Sequence, residues 1–417
     1  MKRWLALVLL VACVPSLAQR FPPPTDLPGS PFAIKNTWII GGIGNWDYLT
    51  MDATARRLYI AHGRVVQVVD VEAGTLIGTI DGFTQAHQVL LDGSGQYGYV
   101  SDGPGSDVKV FDRVTLQIVA SIPTAPGPRG IALDPVSGLL LAVCSGSADE
   151  TESRPNQPSR PRSSSRGAAA GRSSAYRARS TLTVIDTEKR IPLADIVVAG
   201  QLGSTQASGD GKVFVTVENP SAILRVDAAQ ISAMLQKLRI ATAAPRTTDQ
   251  PLQLDWTGPH SSPDQSSLHF MRLAPACNDP LSLALDSYRQ RLFTACSNMV
   301  LSVTNSGTGA QVATLPIGPD AQAVAYDPNR GLVFTSNGGG DGSLTIVRQT
   351  VTDTYSVIQN LPTRQQARTM ALDPSTGNVF LVTVLYGAKT GPPPLNGIGT
   401  LTMTAVDSSF QVMVIGD

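Results

Sequence analysis

One word recurs along this chain at a nearly constant interval: a short apolar run that ends in aspartate. The aspartates are Asp52, Asp92, Asp134, Asp210, Asp286, Asp327 and Asp373, spaced 40, 42, 76, 76, 41 and 46 residues apart. A period near 40 with several short strands in each unit marks the blades of a β-propeller, and each 76 reads as one blade plus an insertion. The local chemistry agrees. Asp134-Pro135-Val136-Ser137-Gly138, Asp327-Pro328-Asn329-Arg330-Gly331 and Asp373-Pro374-Ser375-Thr376-Gly377 are turn sequences. In them Asp accepts backbone hydrogen bonds, Pro presets φ and Gly takes the left-handed position. A second apolar strand follows each turn, and a third one ends in Val-Asp or a similar pair. The expected fold is therefore all-β: a seven-bladed β-propeller with four-stranded blades. A lone blade cannot bury both faces, whereas a closed ring buries each against its neighbours.

Closure of such a ring needs a strand from the opposite terminus. Residues 33–40 and 410–415 are the expected partners in one composite blade, with the 401–406 run as a competing strand. The 417 residues, of which 42% are hydrophobic, suffice for a ring of this size. Thirty-eight Gly and thirty Pro supply its turns.

Two segments interrupt the period. Residues 149–180 fall in the third blade between its second and third strands. They are rich in Ser, Arg, Pro and Ala and carry seven Arg between 154 and 179. That composition cannot build a core and predicts disorder, as a solvated linker or as a basic arm. Residues 229–266 interrupt the fourth blade after its third strand. Within them 231–240 have helical spacing, with Met234, Leu235 and Leu238 expected to pack on the blade. The run 268–274 is expected to complete that blade.

The N-terminus reads as an export signal over 1–18: Lys2 and Arg3, then an apolar run, then Ser16-Leu17-Ala18 before a cleavage point. Leu10-Val11-Ala12-Cys13 is a competing lipobox that would anchor the chain through Cys13. About 11 apolar residues are too few to span a bilayer, and no transmembrane segment is expected. The compartment that follows is periplasmic or extracellular, and the propeller spans 33–417 as a monomer. Removal of the signal leaves Cys144, Cys277 and Cys296, an odd number. Cys277 and Cys296 flank the inner strand pair of the fifth blade on one face and read as a disulfide, or else as a buried free pair. Cys144 reads as a small buried residue.

The second strands carry a further signal. Tyr59-Ile60-Ala61-His62, Tyr99-Val100-Ser101-Asp102 and Phe334-Thr335-Ser336-Asn337 resemble the Tyr-Val-Thr-Asn repeat. Outside its insertions the chain is similar to exported bacterial YVTN-type β-propellers. The resemblance implies a seven-bladed ring with a central channel and no particular catalytic set.

Strand order then places chemistry. The first strand of each blade begins at the face where the second ends. Residues five before each aspartate ring one channel mouth: Asp47, His87, Arg129, Thr205, Leu281, Gln322 and Arg368. Residues ten after it ring the same face: His62, Asp102, Cys144, Cys296, Asn337 and Thr383, with Val217 or Glu218 in the fourth blade. Asp47, His62 and His87 contain the residue types of a metal or proton-transfer site, although polar lining explains them as well. Arg129 and Arg368 suit a carboxylate or phosphate, unless they pair with Asp47 or Asp320. The expected ligand-binding residues are thus Asp47, His62, His87, Asp102, Arg129, Asn337 and Arg368.

No catalytic or metal-ligating residue is assigned and no cofactor is expected. The sequence contains no GxSxG elbow, HExxH, phosphate loop or CxxCH. Lys plus Arg equals Asp plus Glu, 32 each, so no global field draws nucleic acid, and no specific nucleic-acid partner is expected. The function expected is a binding module whose mouth takes a small anionic ligand, an envelope polymer or a protein. The alternatives are a lactonase-like or quinone-linked enzyme and a structural envelope protein.

Overall fold

The computed structural model describes residues 32–145, 179–241, 251–256, 267–273, 275–351, 353–390 and 401–417. The export signal, Cys13 and residues 149–178 of the basic segment lie outside them. Seven four-stranded antiparallel blades form a ring. The innermost strands are Trp46–Asp52, Ala86–Leu91, Pro128–Asp134, Leu202–Ala207, Pro280–Asp286, Ala321–Asp327 and Met370–Leu372. They neighbour one another in that order, and the last returns to the first.

The apolar pattern explains the closure. Second strands such as Arg57–His62, Leu139–Cys144 and Leu332–Asn337 are buried along almost their whole length, because both faces meet another blade. Among the described residues the core is seven clusters, one at each junction between blades. Tyr59 and Ala61 of blade 1 pack with Val89 and Val100 of blade 2, and Phe293 of blade 5 packs with Val333 of blade 6.

The seventh blade is composite. Met370–Leu372, Val379–Thr383 and Gln411–Gly416 come from the C-terminal end, and Ala33–Ile39 adds antiparallel to Gln411–Gly416 as the outer strand. The competing run pairs elsewhere: Leu401–Ala405 forms a separate hairpin with Tyr386–Thr390.

The third strand of blade 3, Arg179–Asp186, begins inside the segment expected to be an arm, so Arg179 and Ser180 belong to the sheet. In blade 4 a helix, Ala228–Ala241, follows the third strand and buries Ile231 and Leu235 against blades 3 and 4. Leu252–Asp255 then adds a fifth strand to blade 3, parallel to Ile191–Ala199, with Trp256 buried beside it. Leu268–Arg272 completes blade 4.

The repeat aspartates do more than close turns. Asp373 of blade 7 receives Arg56 of blade 1 at 2.5 Å, and Asp52 of blade 1 receives Arg113 of blade 2. Asp134 receives the amide of Gly211 of blade 4 at 3.1 Å. Asp286 receives Tyr326 at 3.1 Å and Gln349 at 3.2 Å, both from blade 6. Asp327 holds Arg330, which reaches the Gly377 carbonyl of blade 7. Each of these carboxylates is buried, so each leaves water only because neighbouring donors replace it.

Candidate ligand-binding mouth

The channel mouth is built by one repeated irregularity. In six blades the first strand slips register just after its first residue: after Trp46, Ala86, Pro128, Leu202, Pro280 and Ala321. The extra residue of a bulge leaves the ladder and its side chain is re-aimed. The residues so released are Asp47, His87, Arg129, Gly203, Leu281 and Gln322, and Arg368 precedes the short first strand of blade 7. The expected ring is therefore a ring of bulges, with one change. Register puts Gly203, and not Thr205, at the mouth of blade 4. The turn of that blade is a residue shorter, and the amide of Ser208 takes the rung that the amides of Asp92 and Asp373 take in theirs. Ser208 thus stands at the repeat position assigned from sequence to Asp210.

The bulge carbonyls are pinned. Ser101 Oγ donates to the Arg129 carbonyl and Ser336 Oγ to the Arg368 carbonyl, both at 2.6 Å across a blade junction. Each serine is the next-to-last residue of a second strand, so the same device fixes both arginine backbones.

The residues ten after each aspartate lie at the same end but serve the blades. His62 is buried, stacked on Phe410 at 4.1 Å, and tied to Gln67 Oε1 at 2.8 Å and the Gly44 carbonyl at 3.2 Å. Asp102 is fully buried and accepts the amides of Thr84 and Gln85, each at 2.8 Å. Asn337 is fully buried and donates to Ser343 at 3.1 Å and Thr345 at 2.9 Å. Asp47 and His87 do meet, Oδ2 to Nδ1 at 2.7 Å, joining blades 1 and 2. The other ring nitrogen of His87 faces Gly103, so close that a Cβ there would lie 2.6 Å from it. Asp47, His62 and His87 do not form a trio, and the described residues hold no group of three His, Cys, Asp or Glu placed as metal ligands.

The arginines differ from these. Arg129 is exposed and Arg368 half-buried. Asp47 is taken by His87, and Asp320 accepts Gln322 at 2.8 Å. Among the described residues neither arginine has a carboxylate partner within ion-pair distance. The Arg368 guanidinium reaches Gln366 at 3.3 Å, while its buried Nε meets no acceptor among the described residues.

Tyr48, which sequence reasoning passed over, and Glu218, one of its two candidates in blade 4, complete the mouth. Tyr48 follows Asp47 in the blade 1 bulge, and its hydroxyl lies near Ser204 of blade 4 and Arg129 of blade 3. Blades 1 and 4 lie across the seven-membered ring from each other, so this side chain points into the channel from the blade 1 side. Burial first and Asp47 second push its phenol well above the usual range, against the pull of Ser204 and Arg129. A signal existed: at this position the other blades carry Gln88, Gly130, Ser204, Ser282, Ala323 and Thr369, and Tyr48 alone is aromatic. Glu218 is the second. Burial and then Asp279 raise its pKa, and the nearby Arg129 lowers it.

Cys277 and Cys296 are disulfide-bonded with Cα atoms 5.4 Å apart, fastening the loop that carries Asp279 to the end of a second strand. Cys144 is free and buried.

No protein-family model matches this sequence, and no curated protein matches it. Among solved structures, a chain of the one described as "Crystal Structure of Mitotic Checkpoint Complex" superposes with a TM-score of 0.58 at 11% identity. That alignment covers 100% of this chain and 99% of the other. At such identity the likeness establishes a shared fold. The protein is a seven-bladed β-propeller with a polar, arginine-bearing mouth.

Proposed function

We propose that this chain is an exported binding module of the YVTN type that captures an anionic partner on its mouth face. The observation that carries the reading is the pair of mouth arginines, Arg129 and Arg368, neither with a carboxylate partner among the described residues. An unpaired guanidinium on a fixed backbone suits carboxylate or phosphate through parallel N–H donors. Arg129 stands on blade 3 and Arg368 on blade 7, on opposite sides of the ring. One small anion would meet one of them, whereas an acidic polymer or a loop with several acidic groups would meet both. The compartment is part of the same proposal. A disulfide persists in an oxidising environment, and the N-terminal sequence has the form of an export signal. No helix among the described residues is long and apolar enough to cross a membrane.

The test is a titration of two probes, inorganic phosphate and an amidated hexaglutamate peptide, into wild type and the Arg129→Ala/Arg368→Ala variant. The expected result is tighter binding of the peptide than of phosphate, weakening with salt, and at least tenfold loss in the variant. Equal peptide binding by the two proteins, or none by wild type, rejects an acidic partner at this face.

A further inference from the structure

At the face opposite the mouth, the junction between blades 4 and 5 lacks a carboxylate link that four of its sisters have. At junctions 7/1, 1/2, 3/4 and 5/6 a buried repeat aspartate of one blade accepts a donor from the next. Blade 4 has Ser208 at that position. Blade 5 has also lost the matching bases. Arg56 lies four residues after Asp52 and has φ 55°. Its counterpart four after Asp286 is Gln290, with φ 56°. Arg113 directly follows the third strand Asp107–Asp112, and its counterpart after Val300–Asn305 is Ser306.

What this leaves is a cavity of about 70 Å³, lined among others by Ser208, Asp210, Lys212, Arg225, Gln290 and Ser306. That is room for about five water-sized groups. The lining is rich in donors and its charge is positive. Lys212 neutralises Asp210 at 2.7 Å. Arg225 gives one N–H to the Gly307 carbonyl at 3.0 Å and has no carboxylate partner among the described residues. A space where sister junctions seat a buried carboxylate has none at the repeat position, holds Asp210 only in an ion pair with Lys212, and is edged by a guanidinium without a carboxylate partner, so it is complementary to a carboxylate from outside.

We propose that this inter-blade cavity is a binding site for a small monocarboxylate. Its oxygens take the place of the missing aspartate, with Arg225 as the charged donor and Gln290 and Ser306 as neutral ones. Asp210 lies on the rim, held by Lys212 and Ser208, and disfavours larger polyanions. The site is independent of the mouth.

Acetate is the probe, and saturation transfer from the protein to its methyl protons is the readout, at constant ionic strength against chloride. Wild type and the Arg129→Ala/Arg368→Ala variant should both give a saturable signal. Arg225→Gln should cut it at least fivefold. Ser208→Asp should abolish it by supplying the carboxylate from within, and should raise the melting temperature in chloride. No saturable signal in wild type, or an undiminished one in Arg225→Gln, overturns the proposal. A folded Ser208→Asp protein that still binds acetate overturns it too.

Discussion

Asp373 shows how one side chain can tie the ring to pH. Its carboxylate is buried, which alone would raise its pKa. Hydrogen bonds from Ser375, Arg56 and Thr376 outweigh that and hold it down to about 2. A group whose folded pKa lies below its unfolded value adds stability at higher pH and loses it as the carboxylate protonates. The contribution, roughly 2 kcal/mol, is complete above about pH 4 and fades between pH 4 and 2. In acid melts, Asp373→Asn should lower stability at neutral pH and flatten the fall over that window. A variant with the same slope as wild type would show that the Arg56 contact does not carry acid sensitivity. At this scale the sequence was legible only in part. The turn role of the aspartates is plain from Asp-Pro-x-x-Gly, but their service to the next blade is not, because Arg56 and Arg113 become partners only once the ring closes. Likewise, distance along a strand puts His62, Asp102 and Asn337 at the correct end, yet their burial follows from Phe410, Thr84 and Ser343, which no local spacing reveals.

Among elements, the bulged start of the first strand matters most for the mouth. Counting back five residues finds its members because six blades carry the slip at one place. The count fails in blade 4, where the turn is shorter and Asp210 is not the repeat residue. The insertion after the third strand of that blade shows the other limit. Helical spacing identifies Ala228–Ala241, whereas four residues with alternating burial, Leu252–Asp255, give too little pattern to predict a parallel strand on a different blade. The loop around Asp279 is fixed covalently. Non-reducing peptide mapping should recover Cys277 joined to Cys296. Replacing both with Ser should cost about 3 kcal/mol, the value for a loop of this length. Cys144 should stay unlabelled by iodoacetamide at pH 8 in the folded protein, since burial pushes its thiol up to about 12. Rapid labelling of Cys144, or a free Cys277 in oxidised protein, would contradict this arrangement.

For the whole molecule, closure by Ala33–Ile39 and the seven junction cores make a rigid frame, and function is confined to what the frame leaves unpaired. Four arginines of the face opposite the mouth are structural: Arg56, Arg113, Arg289 and Arg330 each hold a repeat aspartate. The account rests on the claim that Arg129 and Arg368 are not struts of that kind. Thermal unfolding of the Arg129→Ala/Arg368→Ala variant tests it most directly. Residues that make few core contacts and pair with no buried charge should leave the midpoint within about 2 °C of wild type. A strut arginine removed from a buried pair costs roughly 3–5 kcal/mol, so a fall of many degrees would contradict the claim and make both residues part of the scaffold.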